Sequence, residues 1–264
     1  MSAILPPIFG ATALMLLFLM WRARKGSRQH SAAAGLGAVI AGLLAALPLM
    51  APARDAGEDV RDYYRQSRTA PPQPPRVFHL GHSLVGRDMP AMLAQLGGGD
   101  YALQLGWGTT LRAHFEPDVE INGFAQENDT PKYRDAHQAL ASGEYDDFVM
   151  TEMVALADAI KYFDTRSYVA KWAAEAAAGN PGGQIFLYET WHSLDDKPDW
   201  LARLPGDLNT MWKPDLLWPA ARAAKKPVWL IPAGQVMAKL VAEAESQGGI
   251  AELKSRKDLF ATTP

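Results

Sequence analysis

A serine in a glycine-containing turn is the first residue of this sequence whose surroundings suit chemistry. Ser83 lies in the run 81–84 (GHSL), which follows the apolar segment 76–80 (RVFHL), and a helical pattern begins near Asp88. A serine on such a strand-to-helix turn stands at the end of a sheet, beside free N–H groups that can hold an oxyanion. The alternative is that Ser83 only caps the helix. The turn is not a G-x-S-x-G elbow, because Gly86 comes one residue too late.

The elements that must position this serine alternate along the chain. Apolar runs predict strands, and apolar residues three or four apart predict helices. The predicted strands are 76–80, 101–105, 147–151, 184–188 and 227–231, and the predicted helices are about 87–97, 131–142, 166–179, 208–225 and 233–247. Pro214 and Pro219 should interrupt the fourth helix. Alternation of this kind predicts a three-layer α/β/α domain with a parallel sheet of about five strands.

Ligands of such sheets bind beyond the carboxyl ends of the strands, so the residues after each strand are candidates for the site. Gly106 and Gly108 follow the second predicted strand. Either could donate a backbone N–H, or both could serve only a turn that needs positive φ. Thr151 and Glu152 stand at the end of the third strand. A buried Glu152 would be a functional acid with a perturbed pKa or a partner for an arginine.

These blocks resemble the SGNH (GDSL-like) hydrolase superfamily over residues 76 to 264. The resemblance rests on an apolar strand followed by G-x-S-L at the start of a flavodoxin-like α/β/α body. It implies that Ser83 attacks esters. It also implies that the oxyanion is held by the N–H of Ser83, by the N–H of Gly106 or Gly108, and by an asparagine after the third strand.

The sequence departs from the family pattern in two places. Glu152 stands where the family has G-x-N-D, and a glutamate donates only when protonated, so Thr151 or a water held by Glu152 would replace the asparagine. The family's D-x-x-H block after the last strand is absent, because no histidine lies between Ala233 and Pro264. We therefore expect the natural domain to continue past Pro264, in a segment that carries the general base. Within this chain, His192 is the best substitute for that base.

The composition excludes several classes of protein. The 264 residues carry a net charge of −3, so there is no basic surface for nucleic acid. The absence of cysteine rules out thiolate catalysis and Cys-ligated metals. No phosphate-binding loop is present, and His192 with its neighbouring aspartates has no recognised ligand spacing. We expect neither a cofactor nor a metal.

The N-terminal region differs from the rest in charge and hydropathy. Residues 1–53 contain four basic side chains and no acidic one, with apolar runs at 4–21 and 32–53. They predict one or two apolar helices, either as a membrane hairpin with a cytoplasmic basic turn or as a secretory signal that ends at Ala53. In both interpretations the body is exported, and it is either attached to the inner membrane or released into the periplasm. Residues 54–75, with Pro-rich 70–75, are the predicted tether to the domain 76–264.

The sequence thus favours an exported SGNH-type esterase acting on ester bonds, with a small molecule or an O-acyl glycan as substrate. Eight tryptophans favour a sugar ligand, because aromatic faces near the strand ends can stack on sugar rings. Five of them are predicted to lie there: Trp107, Trp191, Trp200, Trp212 and Trp218. The alternative is a catalytically inactive SGNH-like domain that binds or scaffolds in the periplasm.

Overall fold

The computed structural model of the chain describes residues 56–65, 67–68, 71, 73–191, 200–252 and 254–259. The apolar segments of residues 1–53 and the residue His192 lie outside these ranges. In the part of the chain that is described, no helix has the length and hydropathy needed to cross a bilayer.

A five-stranded parallel sheet forms the centre of the body, in the order β2-β1-β3-β4-β5. Its strands are β1 (Arg76–His82), β2 (Asp100–Gly106), β3 (Asp147–Met150), β4 (Gln184–Glu189) and β5 (Val228–Pro232). The predicted strands are confirmed to within two residues at each end. This order places β1 and β3 side by side, with the chain leaving β1 toward β2 and then crossing back to β3. The crevice between β1 and β3 is therefore the topological switch point, where ligands of such sheets bind.

Helices lie on both faces of the sheet, as the α/β/α prediction requires. They are α1 (Asp88–Gly97), α2 (Leu111–Phe115), α3 (Phe124–Asn128), α4 (Ala136–Ser142), α5 (Leu156–Tyr162), α6 (Thr165–Gly179), α7 (Trp200–Asp207), α8 (Trp218–Ala224), α9 (Ala233–Ser246) and α10 (Arg256–Leu259). A π-helical segment, Leu208–Leu217, joins α7 to α8. The main core lies on one face, where Trp172 and Trp212 are almost fully buried against Phe78 and Leu80 of β1. On the other face, Val85, Leu103 and Leu105 form a smaller cluster.

Two predicted helices differ from the structure. The helix predicted at 131–142 begins only at Ala136, because the preceding residues bond to the edge strand β2 instead: Leu103 N–H donates to Lys132 O, and Arg134 N–H donates to Leu103 O. The helix predicted at 208–225 is divided, as its prolines suggested. Pro214 lies in the π-helical segment, and Pro219 lies in the first turn of α8, where no intrahelical N–H is needed.

Part of the predicted tether packs on the body. Residues Glu58–Tyr64 form a 3₁₀ helix whose Val60 is buried in the main core. The Tyr64 hydroxyl donates to Val228 O at 2.9 Å and accepts from Val228 N–H at 3.4 Å. Because β5 is an edge strand, this phenol occupies backbone groups that would otherwise be open to another strand.

Candidate active site

Ser83 is exposed on the turn between β1 and α1. The turn is closed by Val85 N–H and Gly86 N–H, which both donate to His82 O at 2.8 and 3.2 Å. Gly86 has a φ of +58°, a conformation that glycine adopts without strain. Gly81 is required by packing, because a Cβ there would lie 2.8 Å from methyl groups of both Thr151 and Val85. The turn therefore leaves Ser83 exposed to solvent just after the carboxyl end of β1.

The side chain of His82 anchors the turn through two hydrogen bonds. It is fully buried; its Nδ1 accepts from Leu84 N–H at 3.3 Å, and its Nε2 donates to Glu152 O at 3.0 Å. These two bonds select the neutral Nε2–H tautomer. Burial lowers the pKa of His82 to about 4. His82 therefore holds the turn against the end of β3 and is not available as a base.

The predicted oxyanion donors are the backbone N–H of Ser83 and that of Gly106 or Gly108. No acceptor among the described residues pairs with Ser83 N–H. Gly106 stands next to the turn, because it is in register with His82 in the β1–β2 ladder. It is buried, and a Cβ there would lie 2.2 Å from Ile121. Gly108 is exposed with a φ of +56°. Both glycines lie at the edge of the sheet that carries Ser83.

Thr151 is buried, and its hydroxyl donates to Tyr188 O at 2.7 Å. That bond joins the end of β3 to β4. Thr151 thus lies at the carboxyl end of the sheet, as predicted, but its hydroxyl proton is bonded to Tyr188 O rather than free for a ligand.

Glu152 is completely buried at the end of β3. Its Oε1 accepts from Leu111 N–H at 3.2 Å and from Met153 N–H at 2.9 Å, while its Oε2 accepts from Thr165 Oγ1 at 2.8 Å. Burial raises the pKa of Glu152 to about 7, although these donors act against the rise. No arginine is among its hydrogen-bonding partners in the described residues. Glu152 joins the starts of α2 and α6 to β3.

None of the described histidines is placed as a base for Ser83. His114 donates from Nε2 to Gly81 O at 2.9 Å and accepts at Nδ1 from Gln104 Nε2 at 3.0 Å. His79 is buried within β1, and its Nδ1 has no partner among the described atoms. His137 lies on α4, bonded to Glu175 and to a backbone carbonyl. His192, the predicted substitute, lies outside the described residues.

Two open cavities lie at this edge of the sheet. One, of about 500 Å³, runs from Ser83 along α1 and is lined mainly by apolar side chains. The other, of about 420 Å³, begins at Trp107 and Gly108 and includes Arg112, Asn122 and Phe163. Thr109 also lines it, and the buried Thr109 hydroxyl has no partner in the described part of the chain. The cavity along α1 is thus mainly apolar, whereas the cavity at Trp107 also contains several charged and amide side chains.

The tryptophans divide into exposed and structural ones. Trp107 is 47% exposed and donates to Glu127, whereas Trp212 is a core residue. The prediction that Trp212 lies at the rim of the strand ends is therefore wrong; Trp212 belongs to the π-helical segment, and its side chain is buried in the main core. Trp191 packs against Leu204 and Val241, and Trp218 packs on the main core.

Several site-supporting residues were not anticipated. His114 and Gln104 form a chain of hydrogen bonds that ends on the carbonyl of Gly81. Glu189, at the end of β4, is buried and accepts from Gln235 of α9 at 2.6 Å. Its signal in the sequence was the same as that of Glu152, a carboxylate directly after an apolar strand. Within the described ranges, no group of three or more potential ligand side chains could hold a metal ion.

No family model and no curated protein matches the chain. One similar solved structure is an acetyl xylan esterase from the rumen bacterium Butyrivibrio proteoclasticus, with 12% identity and a TM-score of 0.39 over 68% of this chain and 66% of that one. Another is a carbohydrate esterase family 2 enzyme with a carbohydrate-binding domain from Corynascus thermopiles (Myceliophthora fergusii), with 13% identity and a TM-score of 0.31 over 69% of each chain. The chain spans just under two thirds of the first of these proteins. A likeness at this level concerns the fold alone.

Proposed function

We propose that the body is a serine ester hydrolase of the SGNH type, with Ser83 as its nucleophile. The observation that carries this proposal is the exposed position of Ser83 directly after β1, the strand that borders β3 at the topological switch point, combined with a Ser83 N–H that has no partner among the described residues. A nucleophile and an oxyanion donor on the same residue are what acyl transfer needs at a strand end.

The proposed reaction proceeds through an acyl-enzyme. Ser83 Oγ attacks the carbonyl carbon while a general base removes the hydroxyl proton, and the oxyanion is held by the N–H of Ser83 and that of Gly106 or Gly108. The C–O bond to the alcohol then breaks, and the alcohol leaves with that proton. Water, activated by the same base, releases the acid and restores Ser83.

The base lies outside the described residues. His82 and His114 use both ring nitrogens in internal hydrogen bonds, so neither can accept the proton of Ser83. His192 follows the last residue of β4, Glu189, by three positions, and we propose it as the base of this chain. Removal of a base from such a site slows turnover by several orders of magnitude, yet leaves the nucleophile able to react once with a strong electrophile.

For the alcohol part of the ester, we propose a glycan. The cavity at Gly108 is bordered by two exposed aromatic rings, Trp107 at 47% and Phe163 at 37% exposure. Arg112 and Asn122 add polar groups to it. Aromatic faces together with polar groups suit a sugar, which has apolar C–H faces and a rim of hydroxyls.

We further propose that the protein is exported and attached to the inner membrane or released into the periplasm. The support for this is the sequence of residues 1–53, with its apolar runs and its basic residues. An O-acyl group on an envelope glycan or an imported glycan would be a substrate in that compartment.

A second candidate function is a binding or scaffold domain without catalysis. It is favoured by Glu152, which occupies the position of an oxyanion-binding asparagine and uses its carboxylate for internal bonds. Thr151 likewise uses its hydroxyl proton on Tyr188 O.

Labelling with a fluorophosphonate separates the two candidates. The intact protein, the Ser83→Ala variant and the matched control Ser246→Ala are incubated with the reagent, and the labelled peptide is identified by mass spectrometry. Ser246 is also an exposed serine, but it lies on α9 and its hydroxyl bonds to Glu243 O. The hydrolase requires a label on Ser83 that Ser83→Ala abolishes and Ser246→Ala keeps. No label on a folded protein favours the binding domain. A parallel His192→Ala variant should slow the labelling if His192 is the base.

A further inference from the structure

One face of α1 carries a row of apolar side chains that ends at the candidate nucleophile. Met89, Met92, Leu93 and Leu96 follow one another at intervals of three, one and three residues, which places them on one side of the helix. Together with Ser83, Val85, Gly86 and Asp88 they line the open cavity of about 500 Å³. We call the surface formed by these four side chains the α1 trough.

The α1 trough is unusually exposed for an apolar helix face. Met92 is 61% exposed, Leu93 49% and Leu96 85%. An apolar stripe normally turns toward the core, yet the one fully buried residue of α1 is Pro90. A contiguous exposed apolar patch of this kind marks a site of interaction.

The direction of the α1 trough matches an ester bound at Ser83. α1 begins five residues after Ser83, so Met89 lies at the end near the hydroxyl and Leu96 at the far end. Leu96 follows Met89 by seven positions, which corresponds to about 10 Å along the helix. Methionine side chains adapt to flexible ligands, because they are unbranched and polarizable.

We propose that the α1 trough binds the acyl chain of the substrate, which makes the protein an esterase for unbranched acyl groups of medium length rather than for acetyl groups alone. This inference rests on the proposed function, because Ser83 sets where the carbonyl carbon lies. The acyl chain extends from Ser83 past Met89 and Met92 to Leu96. The alcohol points the other way, toward Gly108 and Trp107. Asp88 lines the same cavity at the end near Ser83. Because its carboxylate repels a second negative charge, it favours release of the acid product.

The test uses methyl ketones, which are uncharged, imitate the ester carbonyl and need no turnover. Acetone, hexan-2-one and decan-2-one are titrated into protein labelled at the methionine methyl groups, and binding is followed by NMR. The Met89 and Met92 signals are assigned with the variants Met89→Leu and Met92→Leu. Each buried methylene should tighten binding by about two- to fourfold, so that decan-2-one binds at least tenfold more tightly than hexan-2-one.

Two variants locate the chain. Leu96→Gln should weaken the binding of decan-2-one several-fold and leave hexan-2-one unchanged. The matched control is Val236→Gln on α9, because Val236 is 61% exposed and does not line this cavity. It should change neither affinity.

Three results overturn the inference: affinity that does not rise with chain length, Met89 and Met92 signals that stay in place, or shifts of these signals with protein concentration alone, which would assign the face to self-association. Failure of the proposed function looks different. Binding that depends on chain length, in a protein that fluorophosphonates do not label, supports the α1 trough and rejects the hydrolase.

Discussion

His82 donates from Nε2 to the backbone carbonyl of Glu152 at 3.0 Å, which ties the residue before the candidate nucleophile to the end of the neighbouring strand. A second histidine acts in the same way one residue earlier, because His114 donates to Gly81 O at 2.9 Å. Both rings are buried, and both accept at Nδ1. The turn that presents Ser83 is therefore held by two neutral histidines that only the tertiary structure brings together.

His82 and His114 should stay neutral at pH values well below 6.5, the ordinary pKa of a histidine. Burial lowers the pKa of both His82 and His114 to about 4. The pKa in the folded state lies below the ordinary value of about 6.5, so between pH 6.5 and pH 4 the unfolded state binds more protons than the folded state. The contribution of the two histidines to the free energy of unfolding is therefore complete above pH 6.5 and is lost as the pH falls toward 4. Long-range ¹H–¹⁵N spectra should show the Nε2–H tautomer for both rings at pH 7 and at pH 5.

His137 provides the internal control for that titration. Desolvation acts to lower its pKa, but its bonds to Glu175 and to the Phe115 carbonyl outweigh this, so the pKa of His137 lies above its usual value. It should be largely protonated at pH 5. A His82 ring that titrates together with His137 would contradict the pairing described for the turn.

Glu152→Gln should stabilise the protein at alkaline pH. Burial raises the pKa of Glu152 to about 7, whereas the unfolded carboxyl has an ordinary value near 4.5. Below pH 4.5 the group is protonated in both states; as the pH rises toward 7, the unfolded state loses its proton first, and stability falls. Glutamine keeps the shape without the charge, so at pH 8 the variant should gain up to about 3 kcal/mol, and at pH 4 close to nothing.

Urea unfolding at several pH values measures this difference. Glu245→Gln is the control, because hydrogen bonds from Arg256 lower the pKa of Glu245 to about 2, which gives the opposite sign. That variant should lose stability near neutral pH and resemble the wild type only in strong acid. If Glu152→Gln gained the same stability at pH 4 and at pH 8, the pKa of the Glu152 carboxyl would not be raised.

Gly81→Ala should disturb the turn that carries Ser83. The new Cβ would lie 2.8 Å from methyl groups of Thr151 and Val85, so either the strand or the turn must move. Overpacking of this kind costs about 1–3 kcal/mol. Gly97→Ala, at the end of α1, is the matched control, since no atom lies within 4 Å of its added methyl group. Denaturation should separate the two variants, and the rate of fluorophosphonate labelling should fall only in Gly81→Ala.

Tyr64→Phe should weaken the protected edge of the sheet. The phenol hydrogen bonds to both backbone groups of Val228, and its loss should cost about 1 kcal/mol and leave the edge of β5 open to other strands. Thermal unfolding and light scattering on incubation measure the two effects. Tyr162→Phe, at a 60% exposed position on α5, should change neither. Equal behaviour of the two variants would mean that the 3₁₀ helix does not protect the edge.

Local patterns were enough to locate the strands and the three longest of the described α-helices, α1, α6 and α9, but they did not predict α2, α3, α5, α7 and α10. Short apolar runs, separated along the chain by helical patterns, identified all five strands, because the strands of a parallel sheet are buried on both faces and are therefore apolar along their length. The start of α4 was missed because the residues before it bond to the backbone of β2, an edge strand with free N–H and C=O groups. No pattern of side chains along 131–135 reports a partner that is about 30 residues away.

The sequence by itself determined the α/β/α class and the position of Ser83 at a strand end, because both follow from periodicity and from turn chemistry within a few residues. The tertiary structure alone decided what Glu152, Thr151 and the buried histidines do. Their partners are distant in the sequence: Thr165 and Leu111 for Glu152, Tyr188 for Thr151, and Gly81 for His114. A buried polar group takes the partner that folding brings to it, since leaving it unpaired costs about 1–3 kcal/mol.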